Sequence, residues 1–419
     1  MAREPELAQL NRWLEQAQAG RGRVAFVIGE PGSGKTALIG EFVRRALARE
    51  TDLVVAGGNC NAYGGIGDPY LPFREILELL SGEIETRWRA GSMNATYAER
   101  LWQVAPHTVA ALLAVGPDLV DTLLPGAALL TRATAALTAD TTAQLPKLQA
   151  LIDQHQTAAS GAHLQQGNLF AQYTHVLQTI ARRQPLLLVL DDLQWADTGS
   201  LSLLFHLCRQ LSGQPILIVG LYRPAEVALG RAGERHPLEP IVNELQQRFG
   251  EIHIRLNQSS GRHFVDALVD SEPNELDQPF RDALYRQTAG HPLFTVELLH
   301  GLQARGDLMQ NSAGAWVAAP TLDWRILPAR VEGLLKERIG RLPPALQEIL
   351  QIASVAGETF HAQIIAQVQG AAEWQIVRQL GGMLEQQQRL IALQGSQQID
   401  AGQLTQYRFH HILFQQYLY

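Results

Sequence analysis

One eight-residue stretch has the side chains and backbone groups best suited to bind phosphate. It reads Gly-Glu-Pro-Gly-Ser-Gly-Lys-Thr over 29–36 and fits the pattern G-x-x-x-x-G-K-[ST]. Glycines permit a turn that aims several N–H groups at one point, the lysine adds a positive charge, and the threonine hydroxyl can ligate Mg²⁺. The residues predicted to contact a bound phosphate are Gly29, Pro31, Gly32, Ser33, Gly34, Lys35, Thr36 and Ala37.

Two adjacent carboxylates form a second candidate group. Asp191 and Asp192 follow the apolar run 186–190, which is typical of a buried strand. One carboxylate at the end of such a strand can hold Mg²⁺, usually through water, and its neighbour can orient or deprotonate an attacking water. We predict that Thr36 and Asp191 serve the metal and that Asp192 serves the water. The alternative is a strand that ends in a solvated acidic turn, which the upstream phosphate loop disfavours.

A third candidate is Arg223, which follows the apolar run 215–221. An arginine there could contact a γ-phosphate and stabilise negative charge as it develops. It could equally be a structural arginine paired with Glu226 or Asp192, and the sequence favours neither interpretation. The candidate catalytic residues are therefore Asp192, Lys35 and Arg223.

Buried strands and helices must position these residues. A strand over 24–28 precedes the phosphate loop, and a helix with apolar residues at helical spacing follows it over 36–48. Strands alternate with helices to about residue 257, which predicts an α/β fold with a doubly wound parallel sheet. The other predicted strands are 53–56, 186–190, 215–221 and an edge strand over 251–256.

The rest of the chain is predicted to be mainly helical. We assign 1–257 to a nucleotide-binding domain with a helical insertion at 81–167, and 258–340 to a small helical domain in which 311–323 is irregular. Two helices and a hairpin (390–393 with 406–409) give 341–419 a winged-helix outline. Because the chain stops at Tyr419 inside a helical pattern, we expect the natural protein to continue.

Composition excludes several classes of function. The 419 residues carry a net charge of −7, so we do not expect direct nucleic-acid binding. Lysine occurs only at Lys35, Lys147 and Lys336, none of which follows asparagine, so the guanine-reading motif Asn-Lys-x-Asp is missing. Two cysteines, no signal peptide and no membrane span predict a cytoplasmic protein.

Several short motifs together resemble one known family. The chain resembles the STAND signal-transduction ATPases, and among them the AAA-like module of large bacterial regulators. The motifs that carry the resemblance are Arg-Glu-Pro-Glu-Leu at 3–7, the phosphate loop, Leu-Asp-Asp-Leu-Gln-Trp-Ala-Asp at 190–197, Tyr-Arg-Pro at 222–224, Gly-His-Pro-Leu at 290–293 and Phe-His-His-Ile-Leu at 409–413. The string at 190–197 is the most specific of them, because generic phosphate-loop chemistry requires neither Trp195 nor Asp197.

The resemblance implies ATP or ADP with Mg²⁺ as ligands, and three domains that close over the nucleotide. It places Pro292 near the adenine or ribose, and His411, or else His410, at the β-phosphate of ADP. It also implies ATP-dependent self-association, with sensor and effector domains elsewhere in a longer protein. We therefore expect a nucleotide-controlled switch with slow ATP hydrolysis. The alternative is a constitutively active AAA-type ATPase, which normally has glutamate rather than aspartate at the position of Asp192.

Overall fold

Five strands form a parallel sheet in the computed structural model, and the four longer ones consist mainly of buried residues. They are β1 (Arg23–Ile28), β2 (Val54–Asn59), β3 (Leu186–Asp191), β4 (Ile216–Tyr222) and β5 (His253–Arg255). Their order across the sheet is β2-β3-β4-β1-β5, and every neighbouring pair is parallel. Burial of both faces requires helices on both sides of the sheet. The predicted α/β fold with a parallel sheet is thus confirmed.

The structure describes residues 3–60, 69–84, 93–135, 145–150, 153, 166–230, 235–256, 261–324, 326–387, 390–399, 402–409 and 412–419. These residues divide into two compact units. The α/β unit comprises Arg3–Gly29 and Lys35–Arg255, and the C-terminal unit comprises Glu30–Gly34 of the phosphate loop together with Leu256–Tyr419.

Register brings the predicted site residues to one edge of the sheet. Ile28, the last residue of β1, lies beside Tyr222, the last residue of β4, and Leu190 of β3 lies beside Gly220. Because these strands are parallel, the residues that follow them all emerge at the same edge.

Helices of the α/β unit are α1 (Glu4–Gln18), α2 (Lys35–Arg49), α3 (Leu71–Leu80), α4 (Ala95–Val115), α5 (Gly126–Ala135), α6 (Gln166–Ala181), α7 (Thr198–Arg209), α8 (Pro224–Leu229) and α9 (Leu238–Phe249). The longest of them, α4, belongs to the predicted insertion at 81–167. Its buried residues Leu101, Val104 and Leu112 join the same hydrophobic core as β1 and β3. The described part of the insertion therefore packs as an integral layer of this unit.

Helices of the C-terminal unit are α10 (Gly261–Val269), α11 (Gln278–Thr288), α12 (Pro292–Ala304), α13 (Ala329–Gly340), α14 (Pro344–Ala356), α15 (Ala362–Gln369), α16 (Glu373–Gln379) and α17 (Ile412–Leu418), and a π-helical turn covers Leu380–Gln387. Strands β8 (Thr359–His361), β9 (Ile391–Ile399) and β10 (Gly402–Phe409) form an antiparallel sheet in the order β8-β10-β9. The hairpin follows the two helices as expected, and the winged-helix interpretation of 341–419 stays a prediction.

One expectation for the C-terminal unit is wrong. The segment predicted to be irregular from 311 contributes a strand, since β6 (Leu308–Gln310) pairs antiparallel with β7 (Trp316–Ala318). The turn between them is stabilised locally: the Asn311 side chain accepts the N–H groups of Ala313 and Ala315 at 2.9 and 3.0 Å, and Gly314 has φ +78°. Asn and Gly favour such turns, so the Asn311 side chain stabilises the hairpin. The two strands are too short to be predicted from the sequence pattern.

Candidate nucleotide-binding site

Backbone conformation in the phosphate loop depends on two glycines. Gly32 has φ +75° and Gly34 has φ +89°, a region that residues with a Cβ rarely occupy. Between them, Ser33 donates its N–H to the Glu30 carbonyl at 3.1 Å. The buried Ser33 Oγ has no hydrogen-bond partner among the residues that the structure describes. A buried hydroxyl of this kind fits a loop built to meet the oxygens of a phosphate group.

Lys35 begins α2 directly after the loop. Its side chain is 8% exposed, and Nζ donates to the Gly29 carbonyl at 2.8 Å. The lysine charge and the N-terminal end of α2 therefore lie together in the α/β unit, and both favour an anion. Ala37 follows in the first turn of α2.

Thr36 and Asp191 meet across the sheet edge. Thr36 Oγ1 donates to Asp191 Oδ2 at 3.2 Å. Mg²⁺ prefers oxygen ligands, so this hydroxyl and this carboxylate would together hold the ion. Burial raises the pKa of the Asp191 carboxyl, and repulsion from Asp192 raises it further, although hydrogen bonds from Asp192 N and Thr36 oppose this. A cation would therefore stabilise this carboxylate strongly.

Asp192 has a backbone conformation that is unusual for a residue with a side chain. Its φ is +55°, and its N–H donates to Asp191 Oδ1 at 2.8 Å. Its carboxylate accepts a hydrogen bond from the side chain of Gln194 at 2.6 Å. The residue that we predict to serve the attacking water is thus held in a fixed orientation. Gln194 lies within the motif at 190–197, but no role was predicted for it, since a glutamine in a turn has no spacing signal.

Arg223 lies beside the two carboxylates that the sequence offered as structural partners. Its Nη1 donates to Glu226 Oε1 at 2.8 Å, and its Nε is 3.7 Å from Asp192 Oδ1. Arg223 therefore forms the predicted structural pair with Glu226. Its guanidinium also lies close enough to Asp192 to interact with that carboxylate. Whether it also acts in catalysis stays a prediction.

Asp197, which generic phosphate-loop chemistry does not explain, has a structural role here. It is the N-cap of α7, where Oδ1 accepts the Ser200 N–H at 2.8 Å and Oδ2 accepts the Ser200 hydroxyl. An aspartate at this position satisfies a backbone N–H that the helix leaves without an intrahelical partner. The cap fixes where α7 begins after the Asp191–Asp192 turn.

Within the C-terminal unit, a turn contacts the carbonyl groups of the phosphate loop. His291 is 3% exposed, and its Nε2 donates to the Pro31 carbonyl at 3.0 Å. The Leu293 N–H donates to the Gly32 carbonyl at 3.2 Å. A Cβ at Gly32 would lie 2.7 Å from His291 Cε1, so this contact requires glycine in the loop.

Pro292 and a histidine, His411 or His410, are the remaining residues predicted to contact a nucleotide. Pro292 is the first residue of α12, where its missing N–H costs no intrahelical hydrogen bond. His411 and the alternative His410 lie outside the described residues. Roles for Pro292 and for either histidine at a nucleotide stay predictions.

The parallel sheet and the phosphate loop at its edge define the class, a P-loop nucleotide-binding ATPase. A family model described as "AAA ATPase domain" matches residues 1–219, more than half of the chain. The chain therefore belongs to the AAA ATPase domain family, and the predicted ATP-binding P-loop ATPase is confirmed.

The chain is similar to one curated protein at low identity. An uncharacterized protein of Rhizobium meliloti (strain 1021) is 25% identical over 369 residues, which are 85% of this chain and 29% of that protein. The chain thus spans less than a third of the curated relative that it matches.

Two solved structures are similar to the chain at low identity. One is a STAND protein with a tetratricopeptide repeat sensor from Pyrococcus horikoshii (12% identity, 97% of this chain, 41% of that chain, TM-score 0.31). The other is from the structure of Drosophila ORC bound to DNA (13% identity, 99% of this chain, 94% of that chain, TM-score 0.34). At these scores neither likeness says what this chain binds.

None of the helices that the structure describes is both long enough and apolar enough to cross a membrane.

Proposed function

We propose that this chain is an ATP/ADP-controlled switch of the STAND class, with slow Mg²⁺-dependent ATP hydrolysis. The observation that supports a switch is a pair of hydrogen bonds between the phosphate loop and the turn at the start of α12. His291 and Leu293 donate them to the carbonyls of Pro31 and Gly32. Phosphates would lie against the amides of the same loop. A change at the terminal phosphate would therefore act on a loop that is hydrogen-bonded to the turn before α12.

Hydrolysis needs few groups, and the α/β unit has candidates for each. Lys35 supplies the charge for the terminal phosphates, and Thr36 with Asp191 would hold Mg²⁺, which when bound neutralises charge on the phosphate oxygens. Asp192 would orient the attacking water, with Arg223 beside it. Aspartate is one methylene shorter than the glutamate usual in continuous AAA ATPases, so we expect slow turnover.

The free energies available are large enough for a switch. Nucleotide at about 1,000 times its Kd stabilises the bound form by roughly 4 kcal/mol. A difference of that size between ADP and ATP would shift the populations of closed and open forms about a thousandfold. We propose that ADP favours a closed form and ATP an open form that self-associates, with sensor and effector domains elsewhere in a longer protein.

Light scattering of the ATP-loaded Asp192→Ala variant and the ADP-loaded wild type tests this proposal, together with ATP-binding measurements on lysine variants. We expect Asp192→Ala to bind ATP, to stop hydrolysing it and to gain mass by self-association, whereas the ADP-loaded wild type stays small. Lys35→Ala should lose ATP affinity roughly 1,000-fold, because a unit charge at ~4 Å contributes about 4 kcal/mol at an effective dielectric constant of ~20. Lys336→Ala, an exposed lysine in α13, is the matched control and should bind ATP normally.

Two results would each contradict a part of this proposal. Unchanged turnover in Asp192→Ala would remove the assigned hydrolytic role. Equal mass with ADP and with ATP, combined with steady-state turnover well above roughly 1 s⁻¹, the lower end of ordinary enzyme rates, would favour the constitutive ATPase.

A further inference from the structure

The side-chain amide of Gln194 makes hydrogen bonds through both its nitrogen and its oxygen. The residue lies in the short 3-10 turn Leu193–Trp195 and is 2% exposed. Its Nε2 donates to Asp192 Oδ1 at 2.6 Å, and its Oε1 accepts the backbone N–H of Arg223 at 3.1 Å. One buried side chain thus connects the residue after β3 to the residue after β4.

A buried histidine fixes the backbone of Gln194 in turn. His236 is 1% exposed, and the Leu238 N–H donates to its Nδ1 at 3.2 Å. Nδ1 is therefore the acceptor nitrogen, so Nε2 carries the hydrogen and donates it to the Gln194 carbonyl at 2.9 Å. Main chain and side chain of Gln194 are both held, which leaves its amide one orientation.

Asp192 has reason to need such support. Its φ of +55° is a conformation that a residue with a Cβ adopts at a cost, and it persists only where the surroundings hold it. The hydrogen bond from Gln194 occupies Oδ1 of the carboxylate, the same oxygen that lies 3.7 Å from Arg223 Nε. Among the residues that the structure describes, no side chain or backbone group is hydrogen-bonded to the other oxygen, Oδ2, which can therefore meet a ligand.

We infer that Gln194 is a positioning residue for ATP hydrolysis. It holds the Asp192 carboxylate so that Oδ2 orients the attacking water, and it keeps Asp192 and Arg223 in one fixed arrangement. This inference rests on the proposed function, in which Asp192 serves the water. Gln194 itself contacts neither nucleotide nor water in this account.

Two substitutions separate the two ends of the amide. Gln194→Met keeps the length of the side chain and loses the hydrogen bonds with Asp192 and with the Arg223 N–H. Gln194→Glu still accepts from Arg223 N–H, but it loses the donor and sets a second carboxylate against Asp192. A matched control is Gln172→Met, because Gln172 makes the same kind of pair elsewhere in the α/β unit: its Nε2 donates to Asp118 Oδ2 at 2.6 Å, and its Oε1 accepts Asp118 N–H at 2.9 Å.

Steady-state kcat and the Kd for ATP are measured for each variant of the 419-residue chain. We expect kcat to fall roughly 10- to 100-fold in Gln194→Met and at least as far in Gln194→Glu, the size expected for one hydrogen bond to a charged group. The Kd for ATP should change less than about threefold, since the lost interaction acts on hydrolysis and not on the loop. Gln172→Met should keep the wild-type kcat.

Wild-type kcat in Gln194→Met would overturn the inference, as would an equal loss of kcat in Gln172→Met. Wild-type kcat in Gln194→Glu would also overturn it, because the bond to Arg223 would then suffice. Should Gln194→Met fail to fold, Gln194→Glu decides alone. If the wild-type chain binds ATP without hydrolysing it, both the proposed hydrolysis and the role of Gln194 are contradicted. The wild-type kcat therefore distinguishes failure of the proposed function from failure of the Gln194 inference alone.

Discussion

Replacing Gly290 by alanine tests how the turn before α12 is held in place. Gly290 has φ +71°, and a Cβ there would lie 2.3 Å from both Cα and the carbonyl oxygen of Gly261. These are backbone atoms at the start of α10, so no flexible side chain can move aside. The substitution therefore combines an unfavourable backbone conformation with a steric clash.

The two contributions can be estimated separately. A left-handed conformation costs a residue with a Cβ roughly 1–2 kcal/mol. Forcing an extra methyl group into a well-packed site costs roughly 1–3 kcal/mol. Gly290→Ala should thus lower the free energy of unfolding of the C-terminal unit by about 2–5 kcal/mol. Gly306 has φ +78° with nothing within 4 Å of its Cβ position, so Gly306→Ala carries only the first cost.

Urea unfolding followed by circular dichroism compares the two variants with the wild type. We expect Gly290→Ala to be less stable than Gly306→Ala by roughly 1–3 kcal/mol, the steric part alone. We also expect weaker ATP binding in Gly290→Ala, because His291 and Leu293 follow the displaced residue and contact the phosphate loop. Equal stability of the two alanine variants would refute the close packing of Gly290 against Gly261.

Two further predictions concern the α/β unit. Asp197→Ala should lower the free energy of unfolding by about 1 kcal/mol, because the α7 cap is lost. Asp197→Asn keeps an acceptor oxygen and should lower it by only about a few tenths of a kcal/mol. Urea unfolding measures both variants, and equal losses would contradict the capping role. Chelation of Mg²⁺ by EDTA should reduce phosphate release to background, since Thr36 and Asp191 are the proposed metal ligands, and excess Mg²⁺ should restore it; turnover that survives EDTA would contradict that assignment.

Local sequence patterns were sufficient to predict much of the fold of the α/β unit. A phosphate loop between an apolar run and a helical pattern needs only neighbouring residues to be recognised, because glycine conformations and helix starts are local properties. Continuous apolar runs likewise indicate strands buried on both faces, so the parallel sheet was predictable. The hairpin of β6 and β7 was missed, because three-residue strands carry too little periodicity to stand out.

Other features depend on residues that are far apart in the chain. Arg223 could be catalytic or structural by sequence, and folding decides that its guanidinium lies against Glu226 with Asp192 nearby. Gln194 became visible only because the ends of β3 and β4 are neighbours in the sheet and His236 returns to its carbonyl. The sequence alone determined which groups could bind phosphate and metal, since that depends on residue type and local backbone. Tertiary structure decided which side chains orient those groups, because a hydrogen bond depends on distance in space and not on separation along the chain.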